Sequence, residues 1–255
     1  KRREMRYMPN GVLRELNDTS ALEVSEEERL ATYEERWRIG GSGFLGAFND
    51  ILTNRQANDT MAEFVRNKIR ATVKDKTAGE LLAPKNHPIG TKRICVDTDY
   101  FATFNRPNVE LVDIRNAPIE ELTPTGLVTG GRSFEFDAIV FATGFDAITG
   151  AFDRIDIRGV DGVHLKEVWK GGPQTYLGVF VAGFPNLLMA MGPHAGLSNY
   201  TRTAEYSVEW ITGVIRFARE RGLSRLEATS SAVSEWTDHV LALGQGQLMT
   251  EVGSW

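Results

Sequence analysis

The sequence holds a single cysteine, Cys95, so no intramolecular disulfide can form, and its four histidines, at 87, 164, 194 and 239, are too scattered for a zinc spacing. Disulfide scaffolds and structural metal sites are therefore excluded, and no metal ligand set is expected. No window approaches the roughly 18 consecutive apolar residues of a membrane span. The opening Lys1-Arg2-Arg3-Glu4-Met5-Arg6 is basic but leads into no apolar stretch, so the expectation is a cytoplasmic protein with neither membrane helix nor signal peptide. Basic charge is not in excess: 29 Lys and Arg face 34 Asp and Glu, a net charge of −5. That balance leaves no electrostatic footprint for nucleic acid. An initiator Met is also lacking, and the first glycine pair, Gly40-Gly41, follows a helix-like stretch instead of an apolar strand. No Gly-x-Gly-x-x-Gly is expected anywhere, so both phosphate-cradling turns are expected to be missing, and the chain reads as a piece of something longer.

What is present is enough apolar residue, 42% of 255, to bury a core in one large or two modest domains. The apolar period changes at about Ile94, from three-and-four before it to two after it. Ser25-Glu26-Glu27-Glu28 has the form of a capping box opening a helix with Leu30, Tyr33 and Trp37 on one face. Thr60 and Glu63 repeat the device, with Met61, Phe64, Val65 and Ile69 apolar and Arg66, Lys68 and Arg70 toward solvent. Strands are expected at 94–96, 109–114, 119–122, 127–129 and 136–143, separated by turns at Pro124-Thr125-Gly126 and Gly130-Gly131. Short buried strands at 179–182 and 187–191 follow. A long helix then carries Tyr200, Ala204, Val208, Ile211, Ile215 and Ala218, with Gly222 as its C′ residue, and a last helix carries Val233, Trp236, Val240 and Leu241.

Three segments have the makings of a site. Ala138-Ile139-Val140-Phe141-Ala142 is continuously apolar, as in a strand buried on both faces of an α/β sheet, and Thr143-Gly144 closes it with residues that let a ligand approach the backbone. An ordinary strand ending in a glycine turn reads the same way. Gly192-Pro193-His194-Ala195-Gly196-Leu197-Ser198-Asn199 feeds the long helix, whose free N–H groups suit a phosphate, a carboxylate or a flavin edge. Ser198 or Asn199 as a plain N-cap, and His194 as a turn residue, fit equally. Lys92-Arg93 stands before an apolar strand, as surface charge or as a fixed cation for a developing anion.

In order and spacing these segments resemble the flavin-dependent Baeyer–Villiger monooxygenases. The resemblance rests on Gly90-Thr91-Lys92-Arg93, Asp97-Thr98-Asp99-Tyr100-Phe101, Phe104-Asn105-Arg106-Pro107-Asn108-Val109 and Ala142-Thr143-Gly144-Phe145-Asp146. It continues through Ile155-Asp156-Ile157-Arg158-Gly159, Trp169, Gly172-Pro173, Thr175-Tyr176-Leu177-Gly178, Gly183-Phe184-Pro185-Asn186, Val208-Glu209-Trp210 and Ser254-Trp255. The resemblance implies an α/β fold made of parts of two Rossmann-like dinucleotide-binding domains, for FAD and NADP, with a helical insertion. On it, residues 1–89 are the insertion of the NADP domain, 90–145 the returning part of that domain, and 146–255 the returning part of the FAD domain.

The implied chemistry uses FAD, NADP(H) and O2 to insert oxygen beside the carbonyl of a small ketone through a flavin C4a-peroxide, giving an ester or lactone. Position by position, Arg93 matches the catalytic arginine. Lys92, Thr143, Gly144, Leu197, Ser198, Asn199 and Trp255 match cofactor-binding positions, and His194, Ala195 and Gly196, with Trp255 again, fall on the substrate side. The family's Phe-x-Gly-x-x-x-His stretch is not in the chain, which is expected to need N-terminal FAD and NADP segments for a complete site and to be inactive alone. Oxidation of nitrogen or sulfur, and a non-catalytic fragment, are the competing readings.

Overall fold

A computed structural model describes Glu4, residues 16–196 and residues 199–252. From Leu16 to Gly144 these form one compact unit, and from Phe145 to Val252 another. Among the described residues no helix is long and apolar enough to cross a membrane. None of their His, Cys, Asp and Glu side chains gather in threes that could hold a metal ion.

The first unit begins with α1 (Glu26–Ile39). Ser25 Oγ accepts the N–H of Glu28 at 3.2 Å, and three glutamates line the electropositive first turn. Ser25→Ala should cost about 1 kcal/mol, read as a lowered midpoint of chemical unfolding. Of the anticipated apolar face only Tyr33 is fully buried; Leu30 and Trp37 remain 44% and 38% exposed. Tyr33 packs against Phe48 and Phe64 with ring centroids 5.5 Å away, at the centre of a core that includes Phe44, Ile51 and Met61.

The second helix, α2 (Arg55–Thr72), starts ahead of the expected Thr60. Asn54 takes the cap instead, its Oδ1 accepting the N–H groups of Gln56 at 2.9 Å and Ala57 at 3.3 Å. Thr60 lies inside the helix, where its hydroxyl donates to the Ala57 carbonyl at 2.7 Å and shares a 2.8 Å hydrogen bond with Tyr33. The rest of the pattern holds: Met61, Phe64 and Ile69 are buried, while Arg66, Lys68 and Arg70 pair with Glu63, Glu34 and Glu80. Arg70 and then Lys85 hold the exposed Glu80 carboxyl down at about 2. The short α3 (Lys76–Leu82) is capped by Asp75 and gives way at Ala83-Pro84.

Between α1 and α2, Gly41-Ser42-Gly43-Phe44-Leu45-Gly46 spells Gly-x-Gly-x-x-Gly, contrary to the expectation that no such turn is present. It follows a helix and forms a 3₁₀ turn whose Phe44 and Gly46 are buried. The spelling lacks the preceding strand and following helix start of the dinucleotide fingerprint and forms a core turn.

A short helix, α4 (Tyr100–Thr103), precedes the sheet formed by β1 (Ile119–Thr123), β2 (Gly126–Thr129) and β3 (Arg132–Glu135), an antiparallel meander in that order. The turns fall where expected. Gly130 and Gly131 have φ of 55° and 68°, the paired left-handed conformation whose twist suits a two-residue hairpin. β3 was not anticipated, and 94–96 and 109–114 form no strand.

The larger correction concerns 136–143, expected to be a strand buried on both faces. It forms no strand, and Val140 and Phe141 are 88% and 64% exposed. An all-apolar strand acquires its structure from neighbours that pair both edges and cover both faces, and this unit supplies neither. The chain is α/β only in combining helices with a small sheet; the described sheet is antiparallel, not parallel.

The second unit contains α5 (Gly150–Asp153), α6 (Leu165–Val168), α7 (Tyr200–Glu220) and α8 (Ser230–Gly244). Its core is Leu165, Trp169, Val181, Phe184 and Met189. The expected strands at 179–182 and 187–191 are turns and irregular chain, tied by an isolated antiparallel bridge in which Tyr176 and Phe180 exchange N–H to carbonyl hydrogen bonds at 2.8 and 3.1 Å, and by Met189 N–H to the Val179 carbonyl at 2.9 Å. Gly222, at φ 64°, follows the end of α7 as expected. Of the apolar face foreseen for α7 only Ala218 is buried, while Tyr200, Val208 and Ile215 are 68%, 52% and 43% exposed.

Candidate functional site

In the first unit, Lys92 and Arg93 lie just past a strap, residues 88–91, that is fixed from beneath. Asn58, on the apolar face of α2 and 0% exposed, donates through Nδ2 to the carbonyls of Ile51 and Ile89, both at 2.8 Å. Its Oδ1 accepts the Ile89 N–H at 2.9 Å. Gly90 sits at φ 85°, and a Cβ there would come within 2.7 Å of Leu52 and 2.9 Å of Leu45. The buried Thr91 hydroxyl donates to the Pro88 carbonyl at 2.7 Å. Lys92 and Arg93 emerge from this anchored strap exposed. Burial, with help from Lys92 and Arg66, pushes the neighbouring His87 imidazole below its usual range.

The motif after Arg93 is structural in its contacts. Asp97 Oδ1 accepts the Tyr100 N–H at 2.7 Å, and Asn105 clamps the end of α2 by donating to the Thr72 carbonyl and accepting the Lys74 N–H, both at 2.8 Å. Thr143 and Gly144 are exposed; Gly144 has φ 85° and nothing within 4 Å of where a Cβ would stand.

In the second unit, the loop before α7 is held as firmly. Met191, His194 and Gly196 take φ of 65°, 68° and 88°. Gly192 donates to the Gly178 carbonyl at 3.0 Å, Ala195 to the Gly192 carbonyl at 3.1 Å, and the Thr175 hydroxyl to the Pro193 carbonyl at 2.8 Å. His194 Nδ1 is buried with no hydrogen-bond partner among the described residues, and burial pushes its imidazole below the usual histidine range. Asn199 occupies the N-cap position of α7, yet its side chain caps no N–H: Oδ1 accepts the Thr201 hydroxyl at 2.9 Å. Leu197, Ser198 and Trp255 lie outside the described residues.

The structure thus groups Lys92, Arg93, Thr143 and Gly144 in one unit, and His194, Ala195, Gly196 and Asn199 in the other. Sequence reasoning missed Asn58 and singled out Thr175 only within a longer match. It missed Arg202 as well, whose side chain is 11% exposed, ion-paired with Glu205 and over the Tyr206 ring at 4.2 Å. Asn58 had a signal, a lone amide among Ala57, Met61 and Ala62; the others have none in composition or period.

No family model matches the chain. Curated relatives do. The 2-oxo-Δ3-4,5,5-trimethylcyclopentenylacetyl-CoA monooxygenase of Pseudomonas putida is 44% identical over 236 residues, 91% of this chain and 43% of that protein. The phenazine N-monooxygenase of Lysobacter antibioticus is 39% identical over 245 residues, 94% of this chain and 45% of that one. A Baeyer–Villiger monooxygenase of Pseudooceanicola batsensis is 37% identical over 235 residues, with 91% and 43% covered. Among solved structures, OTEMO in complex with FAD and NADP is 40% identical with a TM-score of 0.94, over 98% of this chain and 47% of that one. The chain spans about half the length of the relatives it matches. In sequence and in backbone the chain is similar to about half of the length of proteins named as Baeyer–Villiger and related monooxygenases.

Proposed function

We propose that the chain supplies about half of a FAD- and NADPH-dependent monooxygenase that inserts one oxygen atom of O2 beside a ketone carbonyl to give an ester or lactone. The observation that carries this reading is the 0.94 TM-score, at 40% identity, to a complex holding both cofactors. The overall balance is ketone, O2, NADPH and a proton to ester, water and NADP⁺.

The residues present fit such cofactors. Gly144 and Gly196 leave open the space a side chain would fill, and Asn199 stands at the N-cap of α7, where the helix dipole favours an anion. When bound, FAD supplies the oxygen-transferring redox chemistry, with NADPH as its reductant. Lys92 faces the NADP side in this assignment. Thr143, Gly144, Leu197, Ser198 and Asn199 offer backbone and hydroxyl contacts to the cofactors. The Arg93 guanidinium is a cation at every relevant pH and stabilises negative charge developing on oxygen during transfer. His194, Ala195 and Gly196 shape the substrate side. Trp255 is assigned to the cofactor and substrate side by its match to the family position alone, an indole offering one N–H donor and an apolar ring.

In the same reading, residues 1–89 are the helical insertion of a Rossmann-like NADP domain, 90–145 the rest of this chain's share of it, and 146–255 its share of the FAD domain. The exposed 138–143 segment supports this, because strands supplied from the remaining half would pair it. A cytoplasmic setting goes with the single cysteine and the mild charge balance.

The second reading, N-oxygenation, is favoured by the 39% identity to a phenazine N-monooxygenase. Both are tested by joining the chain to the complementary half of the Pseudomonas relative and supplying FAD, NADPH, 18O2 and either cyclopentanone or phenazine. Labelled lactone from the ketone is the expected result. Labelled N-oxide without lactone would establish the second reading, and bound flavin with neither product would overturn both. Amide exchange at 138–143 should slow in the joined protein relative to the 255-residue chain.

A further inference from the structure

The loop from Met191 to Gly196 places two non-glycine residues at positive φ, 65° for Met191 and 68° for His194. Each costs of order 1 kcal/mol and persists only where the surroundings over-determine it. Pro193, immediately before His194, has no N–H with which to fix itself. Its carbonyl is instead held by Thr175, a wholly buried hydroxyl 18 residues earlier, at 2.8 Å. The Tyr176–Gly178 turn that follows Thr175 backs the same loop. The Gly178 carbonyl accepts from Gly192 at 3.0 Å, and a Cβ on Gly178 would stand 2.5 Å from Ala195.

We propose that Thr175 is a positioning residue for the substrate-side loop: by tying the Pro193 carbonyl it sets the Pro193–His194 peptide, holding His194 left-handed with its ring nitrogen buried. The hydroxyl, and not the bulk of the side chain, performs this task. The proposal takes the substrate-side role of the loop from the function proposed above, but the geometry it asserts belongs to this chain alone.

The test uses the 255-residue chain, without cofactor or ketone, so its outcome is separate from that of the product assay. Imidazole titrations are followed by NMR with 13C-labelled histidine, His194 being assigned with His194→Gln. In the unsubstituted chain and in Thr175→Ser, His194 should titrate below the usual histidine range. In Thr175→Val, which keeps the shape and loses the donor, His194 should shift upward. An unmoved His194 in the valine variant, or a serine variant behaving like valine, would overturn the proposal. Should valine weaken the unit so that its titration cannot be compared, a double-mutant cycle on the unfolding midpoints decides. Glycine takes positive φ freely, so Thr175→Val should lower the unfolding midpoint by less than half as much in a His194→Gly background. Strictly additive losses would sink the idea.

Discussion

Arg93→Ala in the protein joined to its complementary half should lower ester or lactone formation by about 10²–10³-fold, the scale of losing one fixed charge stabiliser, while flavin reduction by NADPH proceeds nearly as before. The argument starts with the backbone. Arg93 leaves a strap tied down by Asn58 and Thr91, so its Cα is placed by buried hydrogen bonds, while the guanidinium itself is exposed. Among the described residues no carboxylate is ion-paired with it, so in the proposed role its charge is available to oxygen atoms that become negative during transfer. Arg93→Lys keeps the charge and loses the planar fork, so a partial loss is expected. Stopped-flow reduction and product analysis on the same samples check the split. Equal loss of both steps would reassign Arg93 to holding NADPH, and unchanged product would remove it from the chemistry altogether.

Local signals were legible in the sequence wherever a residue acts on its immediate neighbours. Ser25 caps the helix it precedes, Gly130-Gly131 turns the hairpin, and Gly222 follows α7, because each needs only backbone within a few residues. Where the cap was read from spacing it misled: Thr60 has the residue type and a Glu three later, but Asn54, six residues earlier, takes two N–H groups. Apolar character was legible, but its partner was not. Val140 and Phe141 read as core and stand exposed, and α7 carries an apolar face of which only Ala218 is buried. Burial is a property of pairs of surfaces, and the second surface is not written in the first. The same holds for the candidate site. Lys92 and Arg93 were reached through resemblance, whereas Asn58 and Thr175, which fix the backbone beneath two of its parts, act across 31 and 18 residues of chain.

Asn58→Ala should destabilise the first unit by about 3–5 kcal/mol, since each buried polar group left unpaired costs about 1–3 kcal/mol and the losses do not simply add. Three groups lose their partner at once: the Ile51 carbonyl, the Ile89 carbonyl and the Ile89 N–H. Removing side-chain volume from a fully buried site adds a cavity cost. Asn58→Leu fills the volume and still orphans the same groups, so it should be nearly as damaging; a much milder leucine variant would mean packing, not hydrogen bonding, holds the strap. Asn58→Asp retains the acceptor for Ile89 N–H but places a charge beside two carbonyl oxygens, and its cost should fall as pH is lowered and the carboxyl gains a proton to donate. The sign follows from linkage: a carboxyl whose folded-state affinity for protons is raised stabilises the fold relative to neutral pH as it becomes protonated. Chemical unfolding across pH and amide exchange at Ile89 give the two readings together. Because the strap leads directly to Lys92 and Arg93, the variant that frees Ile89 should also blunt the step assigned to Arg93 in the joined protein, whereas Ser25→Ala, which removes only the cap of α1, should leave that step alone.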